Sequence, residues 1–440
     1  MKKNIFILLI ISIILLSLAN GDIVGLTGIL TVTLIVFFLA KRWPSAAPIL
    51  YVALILRTLL IVLSNHSISL PDSSGDAYWF EIQAYEWSQL GFPNVLFVYG
   101  GWDPTFQKDV ASSAFNSSFF ISYILAILYA LTDRSVMLGQ SISLLFGTLS
   151  VLMSWILAQK VWDNRTAIKV GWFVALFPSL ILYSALIMRE VYVCFFLLVA
   201  LNNVVNWSRT GSLKSFFLTI VSFLVTMIFH GGMFVGLVIF LVIVFLKEIK
   251  NLLRKLINGR LITFKSFLSF TFLVALIAYY VANNIFIPKI GTISEINTLK
   301  KEILRKNIVT HRGAAKYPDW VIAKSETELI YKIPIKAMYF VFAPFPWEIK
   351  KTSHLMGMFD SFLHIFLVYL IFRNRKVIWA DPALRIILFI LLTYLFVYGI
   401  AVGNFGTGLR HRAKFIVIFI LLAAPFLPKF TFSKKNKIKK

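Results

Sequence analysis

A few short stretches of this chain carry ionisable side chains inside an otherwise apolar sequence. The run Gly403-Asn404-Phe405-Gly406-Thr407-Gly408-Leu409-Arg410-His411-Arg412 sets two arginines around a histidine, behind closely spaced glycines. Glycines let backbone N–H groups approach an anion, and arginine grips phosphate oxygens through a bidentate fork. The pattern points to a phosphate or diphosphate with Arg410, His411 and Arg412 as ligands; the plain alternative is a glycine-rich turn touching lipid headgroups. Arg189-Glu190 stands between two apolar runs with no linker. Ionisable groups at such depth are costly and ordinarily face a cavity or a partner. Arg189 is therefore a second phosphate clamp and Glu190 a candidate catalytic group, against the simpler reading of a surface turn with a local ion pair.

His230 closes one apolar run, and Gly231-Gly232 opens the next. Its imidazole titrates near neutrality, which suits proton movement or donation to a phosphate, although a lone histidine serves equally well as a plain hydrogen-bonding residue. Asp76 begins the aromatic-rich segment Asp76-Ala77-Tyr78-Trp79-Phe80-Glu81, read as an amphipathic helix. Its carboxylate could act as general base toward an acceptor hydroxyl, or merely cap the helix. Tyr78 and Trp347 offer rings to a sugar or lipid, a use that competes with the interfacial aromatic belt. His311, Arg312 and Lys316 add basic groups near the same face, Arg312 being a further phosphate candidate. No H-x-x-x-H or paired-cysteine spacing offers a metal cage, and Cys194 is the single cysteine. A phosphate-cradling G-x-x-x-x-G-K-[ST] loop is also missing, which argues against an ATP-driven pump, and no dinucleotide signature argues for a nicotinamide enzyme.

These groups need positioning elements, and composition dictates their kind. The 440 residues are 59% hydrophobic and 14% charged, whereas a soluble chain carries about 25% charged residues. Lipid offers the backbone no hydrogen-bond partners, so long apolar runs must span as helices. Apolar windows near 4–19, 23–40, 48–64, 136–158, 166–188, 191–206, 215–230, 232–246, 267–285, 355–372, 384–402 and 413–428 predict an all-α polytopic bundle of about 11–13 hydrophobic helices. The first of these is read as an uncleaved helix rather than a signal peptide. Two weaker runs, 118–131 and 333–347, read as partial or interfacial helices, the second being interrupted by Pro334, Pro344 and Pro346.

Net charge is +25, carried mainly by short loops and the basic tail 429–440. Such charge faces anionic lipid and fixes orientation, and it gives no support to nucleic-acid binding. Lys41, Arg42, Arg209, Lys214, the 247–265 cluster and Arg373 to Lys376 mark the cytoplasmic side. That leaves loops 65–113 and 286–333 outside, as parts of a single membrane domain.

The first outer loop from Gly75-Asp76 to Trp87, followed by Ala175-Leu176-Phe177-Pro178-Ser179, Ser184 and Arg189-Glu190, resembles the GT-C class of membrane glycosyltransferases. The order Arg189-Glu190, a helix, a basic turn, then a helix ending Phe229-His230 is similar to bacterial oligosaccharide repeat-unit polymerases of the O-antigen or capsule type. Arg410-His411-Arg412 before the last helix fits that second group. The resemblance implies a multi-pass enzyme of the bacterial inner membrane that transfers glycosyl groups from a polyprenyl-linked donor to a glycan acceptor at its outer face. It implies Asp76 as the base and Arg189, Arg410 and Arg412 on phosphate, while Glu190 and His230 are catalytic candidates on the reading of the residues alone. The first loop departs from the GT-C pattern in lacking a clear acidic pair, which leaves a divalent cation without assigned ligands. Polymerisation of repeat units is the leading expectation; single-sugar transfer from a polyprenyl monophosphate is the second, and a lipid-linked oligosaccharide flippase the third.

Overall fold

The computed structural model describes residues 21–100, 119–258, 271, 303–305, 308–309, 311–351 and 353–429. The expected helices near 4–19 and 267–285, much of the second outer loop and the basic tail beyond residue 429 lie outside the described residues. Within them the chain is an all-α polytopic membrane protein with no named strand. Its helices are α1 (Ile23–Arg42), α2 (Ala47–His66), α3 (Asp76–Ser88), α4 (Phe120–Leu131), α5 (Val136–Val161), α6 (Asn164–Leu176), α7 (Pro178–Ser184) and α8 (Arg189–Thr210). There follow α9 (Leu213–Phe229), α10 (Phe234–Ile257), α11 (Glu326–Phe342), α12 (Ser353–Arg373), α13 (Arg375–Ala380), α14 (Pro382–Ala401), α15 (Phe405–Arg412) and α16 (Ile416–Ala423). Among the described residues seven helices are long and apolar enough to cross a bilayer; the bent pair α6–α7 forms an eighth span if counted as one, and α4, α9 and the segment Ile416–Phe426 are shorter apolar helices.

Short polar side chains start many of these helices by accepting an otherwise orphaned backbone N–H. Asp22 receives Gly25 N at 2.8 Å, Asp163 receives Thr166 N at 2.6 Å, and Asn404 receives Thr407 N at 2.7 Å. Basic residues gather in the last turns of α1, α8, α10 and α12, at one end of the bundle. This is the end that the positive-inside rule expects at the cytoplasm. The apolar windows of α5 and α8 are 67% buried against 28% for the span carrying α10, so α5 and α8 form the centre. Leu34, Phe38, Val242, Leu246, Phe362 and Tyr369 point outward as an apolar coat.

The structure corrects several expectations. Residues 166–188 do not make one helix, because Pro178 has no N–H to donate and holds Phe177 extended at φ −69°, ψ 121°. The chain bends by 59° there. The C-terminal carbonyls of α6 are met instead by the buried Arg57 of α2, whose guanidinium donates to Ala175 O at 3.0 Å and Val174 O at 3.4 Å. Conversely, Pro334 does not break its segment: α11 runs through it from Ser325, whose hydroxyl caps Glu328 N, and the outer loop read to 333 is helical from Glu326. The glycine run before Arg410 is no open turn either. Asn404 caps it into α15, and the helix after it begins at Ile416, not near 413. Helix α4 lies alongside α3, with Ser122 Oγ donating to Phe80 O at 2.8 Å and Tyr129 Oη to Glu81 at 3.2 Å.

Candidate functional site

Three hairpins deliver charge to the non-cytoplasmic end of the bundle. After the α6–α7 break the chain runs extended through Met188 and enters α8, so Arg189 and Glu190 occupy the first turn of a central helix. Helix α9 ends at His230, and the following turn reverses the chain into α10. The descent from α14 through α15 into α16 brings Arg410, His411 and Lys414 to the same region. Helix α15 is held from outside by the second loop: Phe405 N donates to Ala315 O at 2.9 Å and Tyr317 N to Gly403 O at 3.1 Å. Gly408 permits this approach, since a Cβ there would stand 3.0 Å from the Tyr317 hydroxyl.

Glu190 is the hub. It is 2% exposed and within electrostatic reach of Lys414, Arg189 and Arg410. Lys414 Nζ lies 3.4 Å from its Oε1, and Arg189 Nε lies 4.0 Å away. Glu190 is thus held chiefly by charge, and Arg410 Nε is buried without a hydrogen-bond partner. Buried polar atoms are nearly always hydrogen-bonded, so this nitrogen leaves a donor for water or a ligand. Arg410 reaches the other way as well, to Asp76 at 2.9 Å. Behind this pair, the Tyr183 hydroxyl donates to Asp72 Oδ2 at 3.3 Å. Burial raises the Asp72 carboxyl above its ordinary range, opposed in part by the charge of Arg410. On the opposite flank, Tyr398 Oη and His230 Nδ1 are 2.8 Å apart, and Lys414 Nζ donates to His411 Nδ1 at 2.9 Å. The His230 and His411 rings stand edge to face at 5.4 Å.

Arg189, Arg410 and Lys414 thus face Glu190, Asp72 and Asp76, so the formal charges of these ionic side chains cancel. An incoming anion must displace a carboxylate. Asp76 is the one that can leave, being 38% exposed in its side chain while Glu190 is 2%.

The candidate residues separate accordingly. Asp76, Arg189, Glu190, Arg410 and, beside them, His230 and His411 come together. Asp76 is the first residue of α3 after its N-cap Gly75 and makes no side-chain cap, so the capping alternative falls away. Arg412 goes elsewhere: its buried guanidinium donates to Asp360 at 2.9 Å, to the carbonyls of Val341 and Ala343 at 2.7 Å each, and to Ser361 at 2.9 Å. It is a structural clamp between α11, α12 and α15, with no fork left for a phosphate. Arg312 is exposed beside His311, which meets Tyr317 O at 2.8 Å. Tyr78 and Trp347 are 50% and 75% exposed, and Trp347 stacks flat on Phe345 at 5.0 Å. Sequence reasoning missed Lys414, Asp72, Tyr183 and Tyr398. Lys414 had a signal, since it follows Arg410 by four residues inside an apolar stretch; Tyr398 had none, being one aromatic among many.

Among the described residues no group of three or more His, Cys, Asp or Glu side chains is arranged to hold a metal ion. No protein-family model matches the chain, and no curated protein matches it.

Proposed function

We propose that this membrane protein transfers glycosyl groups from a polyprenyl phosphate or diphosphate donor at the membrane face away from the cytoplasm, joining oligosaccharide units of a bacterial surface polysaccharide. The observation that carries the reading is the convergence of Arg189 from one hairpin with Arg410 and Lys414 from another on the buried Glu190. Cations fixed in a dry site stabilise a leaving phosphate far more than water does, because their orientation costs nothing at the moment of reaction.

In this reading the donor phosphate takes the place of Asp76 on Arg410. The released Asp76 carboxylate then accepts the proton of an acceptor hydroxyl. That oxygen attacks the anomeric carbon, the bond from carbon to phosphate oxygen breaks, and the lipid phosphate departs with its charge matched by Arg410 and Arg189. Lys414 holds Glu190 in place, and the Tyr398–His230 and Lys414–His411 contacts support the cationic side of the site.

The test is a strain lacking the chromosomal copy and complemented with Arg410→Gln, chosen because its ion-pair partner Asp76 is exposed enough to be solvated once unpaired. Long glycan chains should vanish while the protein remains in the membrane at normal abundance. Full-length polymer in that strain would sink the proposal. Single complete units on the lipid would mark a polymerase, and truncated units a single-sugar transferase.

A further inference from the structure

A cavity of about 310 Å³ opens at the non-cytoplasmic ends of α7, α12 and α15, beside the ion network but lined differently. Its polar wall comprises Asp72, Ser179, Tyr183, His354 and Asp360; Gly406 lies on its rim. Asp360 is 3% exposed and spends Oδ2 on Arg412 and on His364. Ser179 is 6% exposed beside it and its hydroxyl lies in hydrogen-bonding reach of the Asp360 carboxylate. The wall thus presents the carboxylate oxygens of Asp72 and Asp360 together with the Ser179 and Tyr183 hydroxyls, a mixture of acceptors and donors.

The two carboxylates in that wall disfavour an anion. A small cation finds no surplus negative charge, because Arg412 neutralises Asp360 and Arg410 lies within electrostatic reach of Asp72. A ligand with several hydroxyls and no net charge satisfies the acceptors at no electrostatic cost. The apolar part of the lining, Met356, Phe405 and Leu409, suits the C–H face of a ring. The volume is at the lower end of small-molecule sites, about 300–1,000 Å³, and thus suits one ring rather than a chain.

We infer that the cavity between α7, α12 and α15 binds a single neutral sugar ring through Asp72, Ser179 and Asp360. The inference rests on the proposed glycosyl transfer only in making that ring part of the substrate; binding of the ring requires no phosphate.

The experiment uses the full chain in lipid nanodiscs. Saturation-transfer NMR is recorded with the methyl glycosides of glucose, galactose, mannose and N-acetylglucosamine, and binding of sugar-free polyprenyl phosphate is measured alongside. At least one methyl glycoside should bind, and Ser179→Leu should weaken it at least tenfold. Gly406→Leu is a second filling variant, because a Cβ there meets nothing closer than 3.5 Å. The inference is overturned if no methyl glycoside binds, or if both filling variants stay folded and bind as the parent does. Glycoside binding without polyprenyl phosphate binding would support the cavity while removing the glycosyl-transfer reading, so the two can fail separately.

Discussion

Two arginines separated by a single residue have opposite fates. Arg412 is 1% exposed and its guanidinium is fully committed, whereas Arg410 keeps a buried Nε unbonded and a partly exposed partner in Asp76. Removing one member of a buried ion pair costs about 3–5 kcal/mol, because the other charge stays behind in a dry place. Arg412→Gln should therefore lower the melting temperature strongly in detergent and cut membrane abundance, while Arg410→Gln, whose partner Asp76 can be solvated, should do so far less. Equal destabilisation by both would show that Arg410 is structural too. Asp72 gives a pH signature. Burial raises its pKa above the ordinary aspartate range, so the folded protein holds this proton more tightly than the unfolded chain. Stability then falls as pH rises through the ordinary aspartate value toward the raised one. Asp72→Asn should flatten that part of the stability profile, measured by intrinsic fluorescence; an unchanged slope would remove the assignment.

At the scale of elements, the site depends on a break that lies outside it. Arg57 in α2 answers carbonyls more than a hundred residues away, at the point where Pro178 stops α6. Its loss leaves carbonyls buried without partners, at about 1–3 kcal/mol for each unsatisfied group. Arg57→Leu should lower the melting temperature and also reduce glycan polymer, since α7 leads directly to Arg189-Glu190. Loss of polymer with an unchanged melting temperature would contradict this capping role. A second junction joins α11 to α14. Lys336 Nζ donates to Val402 O at 2.9 Å, and a Cβ on Gly399 would meet the Ala337 backbone at 2.8 Å. Gly399→Val forces these helices apart and should destabilise by about 1–3 kcal/mol, the usual cost of overpacking; a thermal melt checks it.

For the molecule as a whole, orientation is the testable property. Cys194 is buried, so single surface cysteines can be read with little background. Arg312→Cys should react with a membrane-impermeant maleimide in intact cells. Lys376→Cys, on exposed α13 at the basic end, should react only after permeabilisation. The opposite pattern would invert the bundle and place the ion network on the cytoplasmic side.

The membrane class, the helical architecture and the approximate spans of the described residues were legible in the amino-acid sequence. Lipid makes them so: it demands helical hydrogen bonding along each apolar run and charges heavily for every ionisable group, so rare polar residues stand out. Even the break at Phe177-Pro178 is local chemistry, though it was read through. Which charges pair was decided only by the tertiary structure. Arg412 finds Asp360 fifty-two residues away, and Glu190 meets Lys414 from another hairpin. Such meetings depend on how each helix is rotated and crossed against its neighbours, and side-chain packing across the bundle sets those angles where no local spacing can.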